Sequence, residues 1–208
     1  MVDLAKALFS KHDPGVLAVL RGSVVGIAGA GGLGSTVAVS LTRAGVGRLI
    51  LADFDKIEPS NLNRQQYFVE QIGRQKVEAL RENLLKINPF GTYIIHDVKV
   101  TVRNAGRIFD EVDILVEAFD RAEAKHMLID AWLSRHPDKP IIAASGLAGF
   151  GKTRKLRVRR MGSLYICGDE ESQCAPGTSP MAPRVGIVAN MQANLVVELL
   201  IKTRGAHV

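Results

Sequence analysis

A glycine series set directly behind a short apolar run constrains this chain more than anything else in it. Val24-Val25-Gly26-Ile27-Ala28 passes without a break into Gly29-Ala30-Gly31-Gly32-Leu33-Gly34. An apolar run of that length reads as a strand buried on both faces of a parallel sheet. Between such a strand and a helix, each glycine has a mechanical reason. Gly29 permits the tight turn, Gly31 lets a phosphate approach the backbone, and Gly34 lets helix and strand pack closely. Gly32 belongs to the same cradle. The helix behind it offers unpaired N–H groups and a partial positive charge to an anion.

The rest of the chain repeats the alternation. Ser35 to Ala44 reads as a helix stopped by Gly45 and Gly47, and Leu49 to Ala52 as a second strand ending at Asp53. Gly73 to Asn88 has helical spacing of Val77, Leu80 and Leu84, and Tyr93 to Val98 reads as a third strand. Next come a short helix around Ile108, a strand from Val112 to Ala118, a helix from Ala122 to His136 and a strand from Ile141 to Ser145. This order predicts an α/β fold with a Rossmann-like, doubly wound, mainly parallel sheet. Lys152 to Arg160 and Ser163 to Ile166 suit a C-terminal antiparallel extension, and Val185 to Lys202 a final helix. Residues 1–21 read as an N-terminal helical arm broken at Asp13-Pro14-Gly15, and 168–183 as a mobile loop. With 208 residues, the expectation is a single domain over 1–208.

Composition narrows the setting. No stretch approaches 18 uninterrupted apolar residues, and the N-terminus lacks the layout of a secretory signal. A cytoplasmic protein without membrane attachment is expected. The net charge of +6 suits an anionic partner without choosing one. Two cysteines, Cys167 and Cys174, are too few for a four-cysteine zinc site, so no structural zinc is expected.

The same glycines would serve a nicotinamide dinucleotide. The residues beyond them point elsewhere. Asp53, at a strand end, is placed to accept ribose hydroxyls. The polar segment Asp53-Phe54-Asp55 through Asn61-Leu62-Asn63-Arg64-Gln65 is dense in groups that suit phosphates. Arg64 offers a planar fork, and Asn61 and Gln65 stand ready to orient it or reach the phosphates. Lys76 lies one helical turn beyond Gly73, pointing toward the same crevice. Asp120, just after the fourth strand, would repel a triphosphate unless Mg²⁺ intervened, which makes it the candidate metal ligand. An N-cap for the next helix is its alternative role.

These blocks, with Lys76-Val77-Glu78 and Asn88-Pro89, together resemble the ThiF/MoeB/HesA family, bacterial relatives of ubiquitin-activating enzymes, over about residues 22 to 200. The short, zinc-free form is similar to a compact ThiF-like subgroup. The resemblance implies ATP- and Mg²⁺-dependent adenylation of the C-terminal Gly-Gly carboxylate of a small ubiquitin-like sulfur-carrier protein, in thiamine-related sulfur transfer, by a homodimer. It implies ribose binding at Asp53, phosphate contacts from Arg64 and Lys76, and Mg²⁺ and ATP contacts from Asp120. Where relatives read Thr-Asp-Asn this chain has Phe119-Asp120-Arg121, and the only arginine ahead of the cradle is Arg21.

Cys174 falls where relatives place a thiol that links to the carrier. Proximity to Arg184 in a flexible loop would activate it as a nucleophile; the alternative is an incidental free thiol. Cys167 reads as a small buried apolar residue. The cations Lys152, Arg154, Lys155, Arg157, Arg159 and Arg160 suit a solvated edge strand or the docking of an acidic carrier or a tRNA. They lack the interleaved aromatics of a base-stacking surface, which disfavours nucleic acid. Three other functions stay open: adenylation of a small-molecule or tRNA-borne carboxylate, an NAD-dependent oxidoreductase, and a non-catalytic nucleotide sensor.

Overall fold

Val24–Ala28 is β1, an interior strand of a seven-stranded sheet in the computed structural model, which describes residues 3–204. Met1 and Val2 of the expected arm, and residues 205–208, lie outside the described residues. The other strands are β2 (Arg48–Asp53), β3 (Thr92–Asp97), β4 (Ile114–Glu117), β5 (Ile141–Ala144), β6 (Arg157–Met161) and β7 (Leu164–Gly168). Their order across the sheet is β3-β2-β1-β4-β5-β7-β6. Every pairing is parallel except β6 with β7. The expected Rossmann-like architecture is present, and its antiparallel extension is the single edge strand β6.

The helices are α1 (Leu4–Leu8), α2 (Pro14–Arg21), α3 (Gly32–Ala44), α4 (Lys76–Ile87), α5 (Val102–Ile108), α6 (Ala122–Arg135) and α7 (Ala182–Arg204). Alternation along each strand sends side chains to two cores. Leu49 and Leu51 of β2 join the face covered by α3, α4 and α7, whereas Ile50 and Ala52 join the face covered by α5 and α6. α7 spans 23 residues and is long and apolar enough to cross a bilayer. Here it lies across the sheet, with Val188, Ala189 and Val196 buried and the Gln192 amide donating to carbonyls of Glu117 and Ile142.

Several boundaries differ from the sequence reading, three of them for a clear local reason. The helix expected from Gly73 starts at Lys76, because Gly73 takes φ +87° and turns the chain. Asp13-Pro14-Gly15 does not only interrupt the arm. Asp13 caps a second helix through the N–H groups of Gly15 and Val16, with Pro14 at its first position. The antiparallel strand begins at Arg157, since Lys152 is left-handed (φ 51°) and Thr153–Lys155 is a 3-10 turn. Lys155 therefore does not share the strand face of Arg157 and Arg159.

Candidate nucleotide site

In a sheet ordered 3-2-1-4-5, the crossovers leave β1 and β4 in opposite directions, and a crevice opens at their carboxyl ends. The glycine series fills this position. Gly29 has φ +100°, and a Cβ there would lie 2.7 Å from the Ala118 carbonyl oxygen. A Cβ on Gly34 would lie 1.8 Å from the Gly29 carbonyl oxygen, so only glycine fits. Around Gly31, by contrast, the nearest neighbour is the Gln65 amide nitrogen at 3.8 Å, so the approach from the crevice is open. α3 has no side-chain cap, and the N–H groups of Gly31, Gly32, Leu33 and Gly34 donate to nothing among the described residues. Four such donors at a helix start form an anion site without further assistance.

The polar segment after β2 folds over this opening. Asp53 accepts the Ala30 N–H at 2.6 Å and the Asp55 N–H at 2.8 Å, which ties the strand end to the glycine turn. Burial pushes its pKa above the ordinary carboxylate value, against the lowering pull of those two N–H groups and of Lys76. Lys76 is buried in the first turn of α4 and donates to the Asp55 carboxylate at 2.8 Å. Asp55, one of the residues expected to bind the nucleotide, holds the lysine here. Asn61 shapes the loop: its side-chain oxygen accepts the Glu58 N–H at 3.1 Å. The Arg64 stem packs at Gly32, while its guanidinium donates to the Ser60 carbonyl and to the Asn63 side chain at 2.8 Å. Gln65 is buried against Gly31, with its amide oxygen unpartnered among the described residues.

Sequence reasoning passed over the groups that join this loop to the cradle. The Gln66 N–H donates to Ser35 Oγ, which donates to the Gly31 carbonyl at 2.6 Å. The Gln66 amide reaches Thr36 Oγ1, which donates to the Gly32 carbonyl. The buried Tyr67 hydroxyl donates to the Ala30 carbonyl at 2.7 Å. An aromatic residue directly behind the polar run Asn63-Arg64-Gln65-Gln66 was the available signal.

Asp120 stands beyond the end of β4 and is exposed; its carboxylate has no hydrogen-bond partner among the described residues. It is not the cap of α6, whose N-cap position belongs to Arg121 with no side-chain bond. The turn before it is held by Glu117, a fully buried carboxylate that accepts from the Phe119 N–H at 2.7 Å and from Lys125 at 2.9 Å. Burial raises the Glu117 pKa, and Lys125 opposes the rise.

The loop carrying Cys174 leaves β7, two strands beyond β4. Cys174 is exposed. Arg184, expected to lie near that thiol, is instead buried against Asp169 at 2.5 Å, with a second bond to the Gly151 carbonyl. Cys167 is buried as expected, and burial pushes its thiol up to about 12. On the edge strand, Arg157 and Arg159 face Glu170, and Lys155 pairs with Glu171 at 2.7 Å. The basic stretch is thereby partly neutralised within its own fold.

Comparison with known proteins sets this geometry in context. The ThiF family model matches residues 5–208. The adenylyltransferase and sulfurtransferase uba4 of Emericella nidulans is 32% identical over 196 residues, covering 87% of this chain and 40% of that protein. Ubiquitin-like modifier-activating enzyme 5 of Caenorhabditis briggsae is 37% identical over 117 residues, covering 51% of this chain and 27% of that protein. The chain thus spans less than half the length of these curated relatives. The E. coli tRNA N6-threonylcarbamoyladenosine dehydratase TcdA in complex with AMP superposes with a TM-score of 0.84 at 18% identity, covering 95% of this chain and 94% of that one. That likeness is one of fold.

Proposed function

The chain belongs to the ThiF family, and from that premise we propose that it binds ATP in the β1/β4 crevice and transfers AMP to a carboxylate, with release of pyrophosphate. One observation carries this reading. Four N–H groups at the start of α3, unpaired among the described residues, open onto a crevice that Asp53, Arg64, Gln65 and Lys76 converge on from β2, its loop and α4. The attacking carboxylate needs no general base. The barrier is the approach of two anions and the charge that develops around the α-phosphorus, and fixed donors and cations lower it. In this reading Lys76 exchanges its Asp55 partner for phosphate, and Arg64 turns from Ser60 and Asn63 to do the same. The exposed Asp120 carboxylate beyond the end of β4, without a hydrogen-bond partner among the described residues, suits a hard cation shared with phosphate oxygens. Mg²⁺, when bound, would neutralise the triphosphate there.

For the acceptor, the proposal is the C-terminal glycine carboxylate of a small ubiquitin-like sulfur carrier. The names of the 32% and 37% identical relatives support a protein acceptor. A second reading, a tRNA-borne carboxylate, is favoured by the near end-to-end superposition on TcdA. Radiolabelled ATP–pyrophosphate exchange separates them. Exchange that requires a carrier ending in Gly-Gly supports the first, and exchange that requires tRNA supports the second. ATP binding with no exchange under either addition would overturn the adenylation reading.

A further inference from the structure

The peptide unit between Ala30 and Gly31 is clamped in a way the phosphate role of the cradle does not by itself demand. In the peptide just before it, Ala30 N–H donates to Asp53 at 2.6 Å. Its own carbonyl, Ala30 C=O, accepts from the Tyr67 hydroxyl at 2.7 Å. A trans peptide is planar, with its C=O and N–H pointing in opposite directions. A bond that fixes the Ala30 oxygen therefore aims the Gly31 N–H the other way. That N–H is the first of the four that donate to nothing among the described residues. On the Gly31 side little else resists rotation of this peptide. Gly31 has no Cβ, and a Cβ built there meets nothing nearer than 3.8 Å.

We propose that Tyr67 is a positioning residue: its hydroxyl, held on the Ala30 carbonyl, keeps the Gly31 amide turned into the crevice to meet a nucleotide phosphate. The inference rests on the ATP-binding reading above and deepens it. Tyr67 is suited to the task. It is buried beneath the turn, and its neighbours Gln66 and Gln65 are themselves bonded or packed to the cradle, so the ring has little freedom to leave. Burial and the nearby Asp53 and Asp55 carboxylates push its pKa well above the ordinary phenol value, so it remains a donor at neutral pH.

The protein contains its own control. Tyr93, at the start of β3 and so at the opposite end of the parallel strands from the cradle, is also buried and donates its hydroxyl to a carbonyl, that of Asn88, at 3.0 Å. Tyr67→Phe and Tyr93→Phe remove the same kind of bond, one beneath the cradle and one at the other end of the strands. Isothermal titration of the full chain with ATP and magnesium, alongside thermal unfolding, reads the difference. Both variants should lose a comparable few degrees of Tm, but only Tyr67→Phe should bind ATP more weakly, by about tenfold. Replacing Tyr67 by 4-aminophenylalanine, which keeps a donor at the ring's end, should restore affinity to within about threefold of the parent. Tyr67→Phe that binds ATP within about twofold of the parent overturns the inference while leaving the nucleotide site intact. Equal losses of affinity in both tyrosine variants overturn it as well, since the effect would then be one of general stability. A parent protein that binds no ATP would instead sink the proposed function from which this inference starts.

Discussion

Replacing Arg184 by methionine tests the packing that seats α7 against the glycine turn. Arg184 and Asp169 are each about 2% exposed and meet at 2.5 Å, and Arg184 also bonds the Gly151 carbonyl. Its neighbour Val185 lies 3.1 Å from where a Gly32 Cβ would be. Burial alone would raise the Asp169 pKa, but the Ser172 hydroxyl, the Ser172 and Glu171 N–H groups and Arg184 outweigh it and hold the group down to about 2. The folded value lies below the unfolded one of 3.8. Its contribution is therefore complete above the unfolded pKa and is lost as pH falls toward 2; it amounts to about 2 kcal/mol. Arg184→Met leaves a buried carboxylate without its cation, which costs about 3–5 kcal/mol. For a chain of this size that is a fall in Tm of about 6–20 °C. Urea unfolding gives the free energy and calorimetry the Tm. Adding Asp169→Asn, which keeps an acceptor for Glu171 and Ser172, should recover a large part of the loss. A single variant within about 1 kcal/mol of the parent would refute the reasoning, because a buried, unpaired carboxylate cannot be that cheap.

The remaining predictions concern the cradle and its rim. Gly34→Ala should abolish nucleotide binding and lower Tm, since its methyl would lie 1.8 Å from the Gly29 oxygen; a folded, ATP-binding variant by calorimetric titration would contradict this. Arg64→Ala and Lys76→Ala should each reduce pyrophosphate exchange by about 2–4 kcal/mol of transition-state stabilisation, and near-parental exchange in both would remove their phosphate roles. Asp120→Asn should raise the magnesium concentration needed for half-maximal exchange, by roughly an order of magnitude, with little change in Tm. Cys174→Ser should leave exchange intact and impair sulfur transfer to the carrier; survival of both steps would make the thiol incidental.

The alternation of apolar runs with helical patterns, and the glycines between the first strand and its helix, were enough to predict a doubly wound parallel sheet and the end of β1 as the place where a phosphate would sit. These are local properties: two-sided burial demands continuous apolar strands, and a turn with φ +100° followed by a 1.8 Å approach demands glycine. The same local logic placed Asp53 at a strand end and Lys76 and Arg64 on the segments that flank the crevice. What lay outside its reach was pairing between distant residues. Whether Asp55 meets ligand or Lys76, whether Arg184 serves Cys174 or Asp169, and whether Tyr67 is filler or a clamp on Ala30 depend on which loops the folded sheet brings side by side. A side chain's partner is chosen by three-dimensional proximity and by the cost of leaving a buried polar atom unbonded, and neither quantity is written in spacing along the chain.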